Sequence, residues 1–212
     1  MKNIFFLTCL SLILFTSCQS KHLYKIEGRQ IAITDSLKTK QSIENFIKPY
    51  RIQINKSLDS VISYAKDTYS KTDGEFNTAI GNMMADAVYQ ESNALFKNRT
   101  GENIDFVLLN HGGIRAIISK GNISKRTAYQ VMPFDNSVVV VKLRGSQVRQ
   151  LVDYLIKAKR PHPISQLQLI LNADNSINSV SLNDDPIDFS KTYNVATNDY
   201  LYNGGDHMDF FK

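Results

Sequence analysis

The sequence predicts an α+β (α/β) domain, one mixed β-sheet flanked by helices, and three observations carry that prediction. Short β-branched and apolar runs alternate with longer stretches whose apolar residues recur at three- and four-residue steps. Clusters of Gly, Asn and Asp separate the runs at residues 110–113, 173–175 and 203–206. No internal repeat or low-complexity tract interrupts this order, which suits mixed strands and helices around one core.

Taken in order, residues 23–33 alternate apolar and polar side chains through Tyr24, Ile26, Ile31 and Ile33, which predicts a strand or hairpin leg. Ile43, Phe46, Ile47, Tyr50, Ile54, Leu58 and Val61 then mark an amphipathic helix that must tolerate or kink at Pro49, with the chain turning into a strand over residues 61–68. Residues 77–96 carry a second helix, capped by Thr78 and striped by Ile80, Met84, Ala87 and Val88. Residues 106–109 read as a buried strand running into a glycine turn. Ser124 caps a short helix ending before Pro133, and residues 137–143 form a β-branched strand. Arg144-Gly145-Ser146 ends it, and Val148, Leu151, Val152, Leu155 and Ile156 stripe a helix that stops before Pro161. Strands at 167–171, 177–182 and 193–197 complete the pattern, the first two joined by an Ala173-Asp174-Asn175 turn.

The N-terminus predicts a compartment. Met1-Lys2-Asn3 is a short positive start, residues 4–15 are almost unbrokenly apolar, and small residues precede Cys18. That is the pattern of a lipoprotein leader (residues 1–17) with Cys18 as the lipidated residue; a plain signal peptide with an incidental cysteine is the alternative. Residues 18–22 then form a lipid-anchored tether and 23–212 the domain. The expected location is the cell envelope, in the outer membrane facing the periplasm, since Gln19 rather than aspartate follows Cys18.

Lys2 is the one charged residue of the leader, so 25 basic residues become 24 against 20 acidic ones. This mild excess, without a Lys/Arg block, suits small anions or lipid headgroups, or simply a solvated surface, and argues against a nucleic-acid stripe. Cys9 lies in the leader, so the mature domain has neither a disulfide nor a thiolate metal site.

Three polar loops hold the candidate chemistry. In the first, Asn110 offers donor and acceptor, Gly112 and Gly113 permit close backbone approach, and Arg115 offers a planar fork for phosphate. In the second, Pro133 fixes a loop that can present Phe134 to a planar ring. In the third, Tyr200 stands six residues before Asp206, so one can stack while the other accepts hydrogen bonds from sugar hydroxyls. Each segment alone reads first as a structural turn or a core aromatic beside one.

Together the motifs are more specific. Residues 81–87 (Gly-Asn-Met-Met-Ala-Asp-Ala), 110–115, 133–136, Leu143-Arg144-Gly145 and 195–200 running to Gly204-Gly205-Asp206 resemble, in order, the C-terminal domain of the 5'-nucleotidase family. The resemblance covers roughly residues 40–212 and implies that family's fold, as a stand-alone lipoprotein. It also implies a nucleoside clamp: Phe134 and Tyr200 sandwich the base, Asp206 holds the ribose hydroxyls, and Asn110 and Arg115 address the base edge and phosphate. Tyr200 stands where phenylalanine is usual in the family, and Asp86 orders neighbouring loops. Departures occur at residues 92–95, where a second phosphate-binding arginine is common, and at His111, Gln166 and His207, where glycine is usual.

Full-length members hydrolyse phosphate esters with two metal ions held by Asp-x-His, Gly-Asp and Gly-Asn-His-Glu motifs of an N-terminal domain, and none of these motifs occurs here. His22, His111, His162 and His207 lack ligand-like spacing, and no Gly-x-Ser-x-Gly elbow, Walker loop or Cys-His pair is found. No catalytic residue and no metal ligand is therefore assigned. The expectation is a nucleotide- or nucleoside-recognition chain of a 5'-nucleotidase-type hydrolase, inactive alone. It would work with a separate metallophosphatase chain that carries the divalent metals, such as zinc or manganese. The alternative is a non-catalytic nucleoside-binding or partner-docking envelope lipoprotein.

Overall fold

The computed structural model describes residue 25 and residues 27–212. The leader, Cys18 and the tether expected at 18–22 lie outside the described residues. The chain divides into two units, residues 1–47 and 48–212.

In the N-terminal unit, residues 27–40 hold no strand; Ile31 and Ile33 are 80% and 91% exposed. The strand expected at 23–33 is thus not formed over its described residues, because an alternating segment becomes a strand only when a partner takes its backbone hydrogen bonds and covers one face. Helix α1, Gln41–Leu58, begins in this unit and continues into the next; it accommodates Pro49 and buries none of its residues.

The second unit opens with the rest of α1, whose end is fixed by Arg126: its guanidinium donates to Asn55 Oδ1 at 2.8 Å and pairs with Asp59. Then follow β1 (Val61–Ala65), α2 (Ala79–Thr100), β2 (Phe106–Leu108), β3 (Gly121–Ser124) and α3 (Lys125–Val131). After these come β4 (Val138–Arg144), α4 (Gly145–Ala158), β5 (Ile164–Ser165), β6 (Leu167–Leu171), β7 (Ile177–Leu182), β8 (Asp185–Pro186), β9 (Thr192–Asn198) and the one-turn helix α5 (Asp199–Tyr202). Thr78 caps α2 by accepting from Gly81 N at 3.2 Å, and Gly101, at φ 77°, ends it in the left-handed conformation.

Where one mixed sheet is expected, three sheets form. The central one has the order β4-β9-β2-β5 and is mixed: β9 runs parallel to β2 and antiparallel to β4, and β2 runs antiparallel to β5. Two small antiparallel sheets, β1-β3 and β6-β7-β8, stand apart from it. The central sheet ends at β5 because that strand is two residues long and offers no further ladder.

Helices cover both faces of the central sheet, as the alternation of its buried side chains requires. Phe106, Leu108, Leu143 and Val195 pack with Val148, Leu151, Val152 and Leu155 of α4. The intervening residues Val107, Leu109 and Ala196 pack with Ala85, Val88 and Tyr89 of α2. A third cluster, Ala65, Ile80, Ile114, Ile118 and Val131, joins β1 to α2 and α3.

Candidate functional site

The parallel pairing of β2 with β9 directs the carboxyl ends of both strands to one edge of the central sheet, and antiparallel β4 begins there, with Val138 opposite Asn198. Loops leaving such an edge converge, which is where open α/β sheets place ligands. All three polar loops leave from this edge.

The loop after β2 places Asn110, 7% exposed, as the extended residue before a single 3₁₀ turn, His111–Gly113. Its side-chain Nδ2 donates to Asp206 Oδ2 at 2.9 Å. A Cβ on Gly113 would lie 3.1 Å from the methyl of Met132 and 3.2 Å from Asn110 Oδ1, so this position has little room for a side chain. Arg115 is fixed by its backbone N–H, which donates to Val131 O at 2.8 Å, and its guanidinium lies 5.9 Å from the Phe134 ring centre.

Phe134 is 46% exposed on the segment between α3 and β4. That segment is joined to the start of α5 by reciprocal bonds: Ser137 N donates to Asp199 Oδ1 at 3.2 Å, and Asp199 N donates to Ser137 O at 2.9 Å. Tyr200 follows directly, 47% exposed. Asn198 caps the turn by accepting from Leu201 N at 2.8 Å.

Asp206 is the centre of the constellation. Oδ2 takes the Asn110 amide, Oδ1 accepts from the Tyr200 hydroxyl at 3.0 Å, and its backbone carbonyl accepts from the Tyr154 hydroxyl at 3.0 Å. The residue sits in the left-handed region, φ 51°, with His207 at 59°, conformations that cost non-glycine residues energy and persist where surrounding contacts impose them. The bond to the Asp206 carboxylate raises the Tyr200 phenol above its ordinary pKa, since ionising it would lose the donated proton and set two negative groups side by side.

Six of the seven candidates fall into two chains of contacts: Tyr200 to Asp206 to Asn110, and Phe134 to Arg115 to the Gly112 carbonyl, at 3.5 Å. Gly113, packed on Asn110 and Met132, is the seventh.

Two contributors to this edge carry no role in the sequence reading. Tyr154 belongs to the apolar stripe of α4; a tyrosine in such a stripe signals a hydroxyl in need of a partner, and the partner is Asp206 O. His162, 7% exposed, accepts from His111 N at 3.3 Å through Nδ1, while its buried Nε2 has no protein partner. Burial is the main cause that lowers its pKa to about 4.

A cleft of about 790 Å³ is lined by Asn82, Asp86, Arg160, His162, Ser165 and Gln166 among others, and by none of the seven candidate residues. Its wall is ordered by Ser165, whose hydroxyl donates to Asp86 Oδ1 at 2.6 Å and accepts from Gln166 at 3.3 Å. Gln166 itself is left-handed, φ 69°. Among the described residues no group of three or more His, Cys, Asp or Glu is arranged to hold a metal ion.

The 5'-nucleotidase C-terminal domain model matches residues 60–212. UshA of Escherichia coli is 33% identical over 115 residues, which are 51% of this chain and 20% of that protein. A 5'-nucleotidase of Vibrio cholerae is 24% identical over 192 residues, 85% of this chain and 32% of its own length. The matched region is thus a fifth to a third of these relatives. The structure of a 5'-nucleotidase precursor from Thermus thermophilus superimposes with a TM-score of 0.62 over 81% of this chain and 35% of the other, at 24% identity, a likeness of fold. With its central sheet, its ordered loops and more than half of its length matched, the chain belongs to the 5'-nucleotidase C-terminal domain family.

Proposed function

We propose that the domain binds nucleosides and nucleotides as the recognition part of a 5'-nucleotidase-type hydrolase. One observation carries the reading: loops at one edge of the central sheet present two half-exposed rings, Phe134 next to Arg115 and Tyr200 bonded to a carboxylate, Asp206, that Asn110 also holds. Half-exposed rings have a face free for a base, and stacking on such a face is tolerant of base identity. Asp206 accepts from sugar hydroxyls, and Arg115 supplies the charge that a 5'-phosphate requires.

Hydrolysis of the ester is assigned to a separate metallophosphatase chain carrying the divalent metals, which would polarise the ester and activate water there. Residues of the present chain bind and orient only. Anchoring through lipid on Cys18, in the outer membrane and facing the periplasm, would keep the domain near that partner by raising its effective concentration. The second reading is a nucleoside-binding or partner-docking envelope lipoprotein without a hydrolase, and its partner-docking form draws on the altered positions Ala94, His111 and His207.

Calorimetric titration of the chain with AMP and adenosine tests the reading. Saturable binding is expected at about 1 mM or below, and Phe134→Ala should weaken it by about 1–3 kcal/mol. No heat at about 10 mM ligand, with wild type and variant alike, sinks it. Phosphate release by the chain alone, with divalent metal added, would overturn the division of labour. Binding without phosphate release in the presence of every co-purifying phosphatase would favour the second reading.

A further inference from the structure

The Asp206 carboxylate already has internal donors on both of its oxygens, Asn110 at Oδ2 and the Tyr200 hydroxyl at Oδ1. The two donors are not equivalent. Asn110 is buried and comes from a separate loop, so it is part of the scaffold. Tyr200 is half-exposed, and its hydroxyl reaches Asp206 Oδ1 from the half-exposed ring.

The geometry of Gly205 explains how the ring reaches this position. A Cβ on Gly205 would lie 2.4–2.6 Å from three Tyr200 ring atoms, so the ring rests directly on the glycine backbone and its hydroxyl extends over the next residue. Any side chain at 205 would lift the ring away. The carboxylate cannot retreat either, because Tyr154 holds the Asp206 carbonyl and Asn110 holds the other oxygen. With ring and carboxylate both held, the hydroxyl can release this acceptor by turning its hydrogen about the C–O bond.

We propose that the Tyr200 hydroxyl is a built-in surrogate for a sugar hydroxyl on Asp206, and that it makes the site accept deoxyribonucleosides nearly as well as ribonucleosides. The proposal rests on the nucleoside reading and names the sugar class of its ligand. A ribonucleoside hydroxyl that takes over the position of the Tyr200 hydrogen exchanges one donor for another, and the exchange gains little. A sugar without those hydroxyls leaves Tyr200 where it is, so the carboxylate is never covered by ligand without a donor. That unpaired state is what otherwise gives hydroxyl-reading sites their discrimination.

The test is a titration of the full 212-residue chain in detergent micelles with adenosine and 2',3'-dideoxyadenosine, using wild type, Y200F and D206N. Wild type is expected to bind the two nucleosides within about threefold of one another. Y200F keeps the ring face and removes the surrogate, so adenosine should bind about tenfold more tightly and the preference for adenosine should rise by a similar factor. D206N, which removes the acceptor charge, should bind the two alike. Adenosine preferred by about tenfold or more in wild type, or an unchanged preference in Y200F, overturns the inference while leaving the nucleoside reading standing. Weaker adenosine binding by Y200F also overturns it, because the hydroxyl would then assist the ligand. Absence of binding by all three proteins removes the nucleoside reading itself, and this inference with it.

Discussion

Strands β1 and β9 show how differently one kind of sequence can be used. β1 reads Val-Ile-Ser-Tyr-Ala and leaves its first four residues exposed, with Val61, Ile62 and Tyr64 each between 55% and 60% accessible. β9 reads Thr-Tyr-Asn-Val-Ala-Thr-Asn, is more polar, and buries six of its seven residues. The difference lies in their neighbours: β9 is flanked by β4 and β2 and covered by α2 and α4, whereas β1 pairs only with β3. Burial follows from what lies on each side of a strand more than from its own hydrophobicity. The candidate ligand loops all leave the covered sheet, where the scaffold is rigid enough to hold an acceptor in place.

The comparison can be broken first in the covered layer. Leu151 of α4 is fully buried against the central sheet, and Leu151→Ala should cost about 2–5 kcal/mol, read as a lower urea midpoint at unchanged slope. A loss below about 1 kcal/mol would mean that this layer is no better packed than the small sheets.

His162 supplies a pH-dependent probe of the same region. Its folded pKa is lowered to about 4, so between pH 6.5 and 4 the unfolded chain takes up a proton that the folded chain does not. Stability should be insensitive to this group above pH 6.5. It should fall by about 3 kcal/mol as pH drops through that window. His162→Gln, which retains an acceptor for His111 N–H, should flatten the slope; urea melts at pH 7, 5 and 4 measure it.

At the site, Arg115→Ala should weaken AMP by about 2 kcal/mol and leave adenosine unchanged, because a charge-assisted bond is lost only when a phosphate is present. Equal losses for the two ligands would place the guanidinium on the base or the sugar. The smallest effect belongs to the exposed strand: Ile62→Ala should alter stability by no more than about 0.5 kcal/mol in the isolated chain. A larger loss would show that β1 is covered in solution.

The helices were the most legible part of the sequence. Val148, Leu151, Val152 and Leu155 recur at helical spacing, and the structure buries all four on one face of α4. Thr78 likewise announced the start of α2 and caps it. Strand positions were legible over most of the chain, but strand partners were not. The alternating residues 27–33 form no strand, and the expected single sheet divides into three, because pairing depends on segments far away in sequence. For the candidate site, the motif residues could be chosen from the sequence, but their bonding could not. Asn110 and Asp206 are 96 residues apart, and Tyr154, which holds the Asp206 backbone, carries no motif that would single it out.

By itself, then, the sequence determined the family, the longer helices, most of the longer strands, and which loops carry polar and aromatic groups, since these rest on local spacing and short-range residue chemistry. Tertiary structure alone decided that β2 and β9 run parallel and send their loops to one edge, and that both Asp206 oxygens are taken by internal donors. The reason is that register and hydrogen-bond partnership are pairwise properties of distant segments, fixed only when the core brings those segments together.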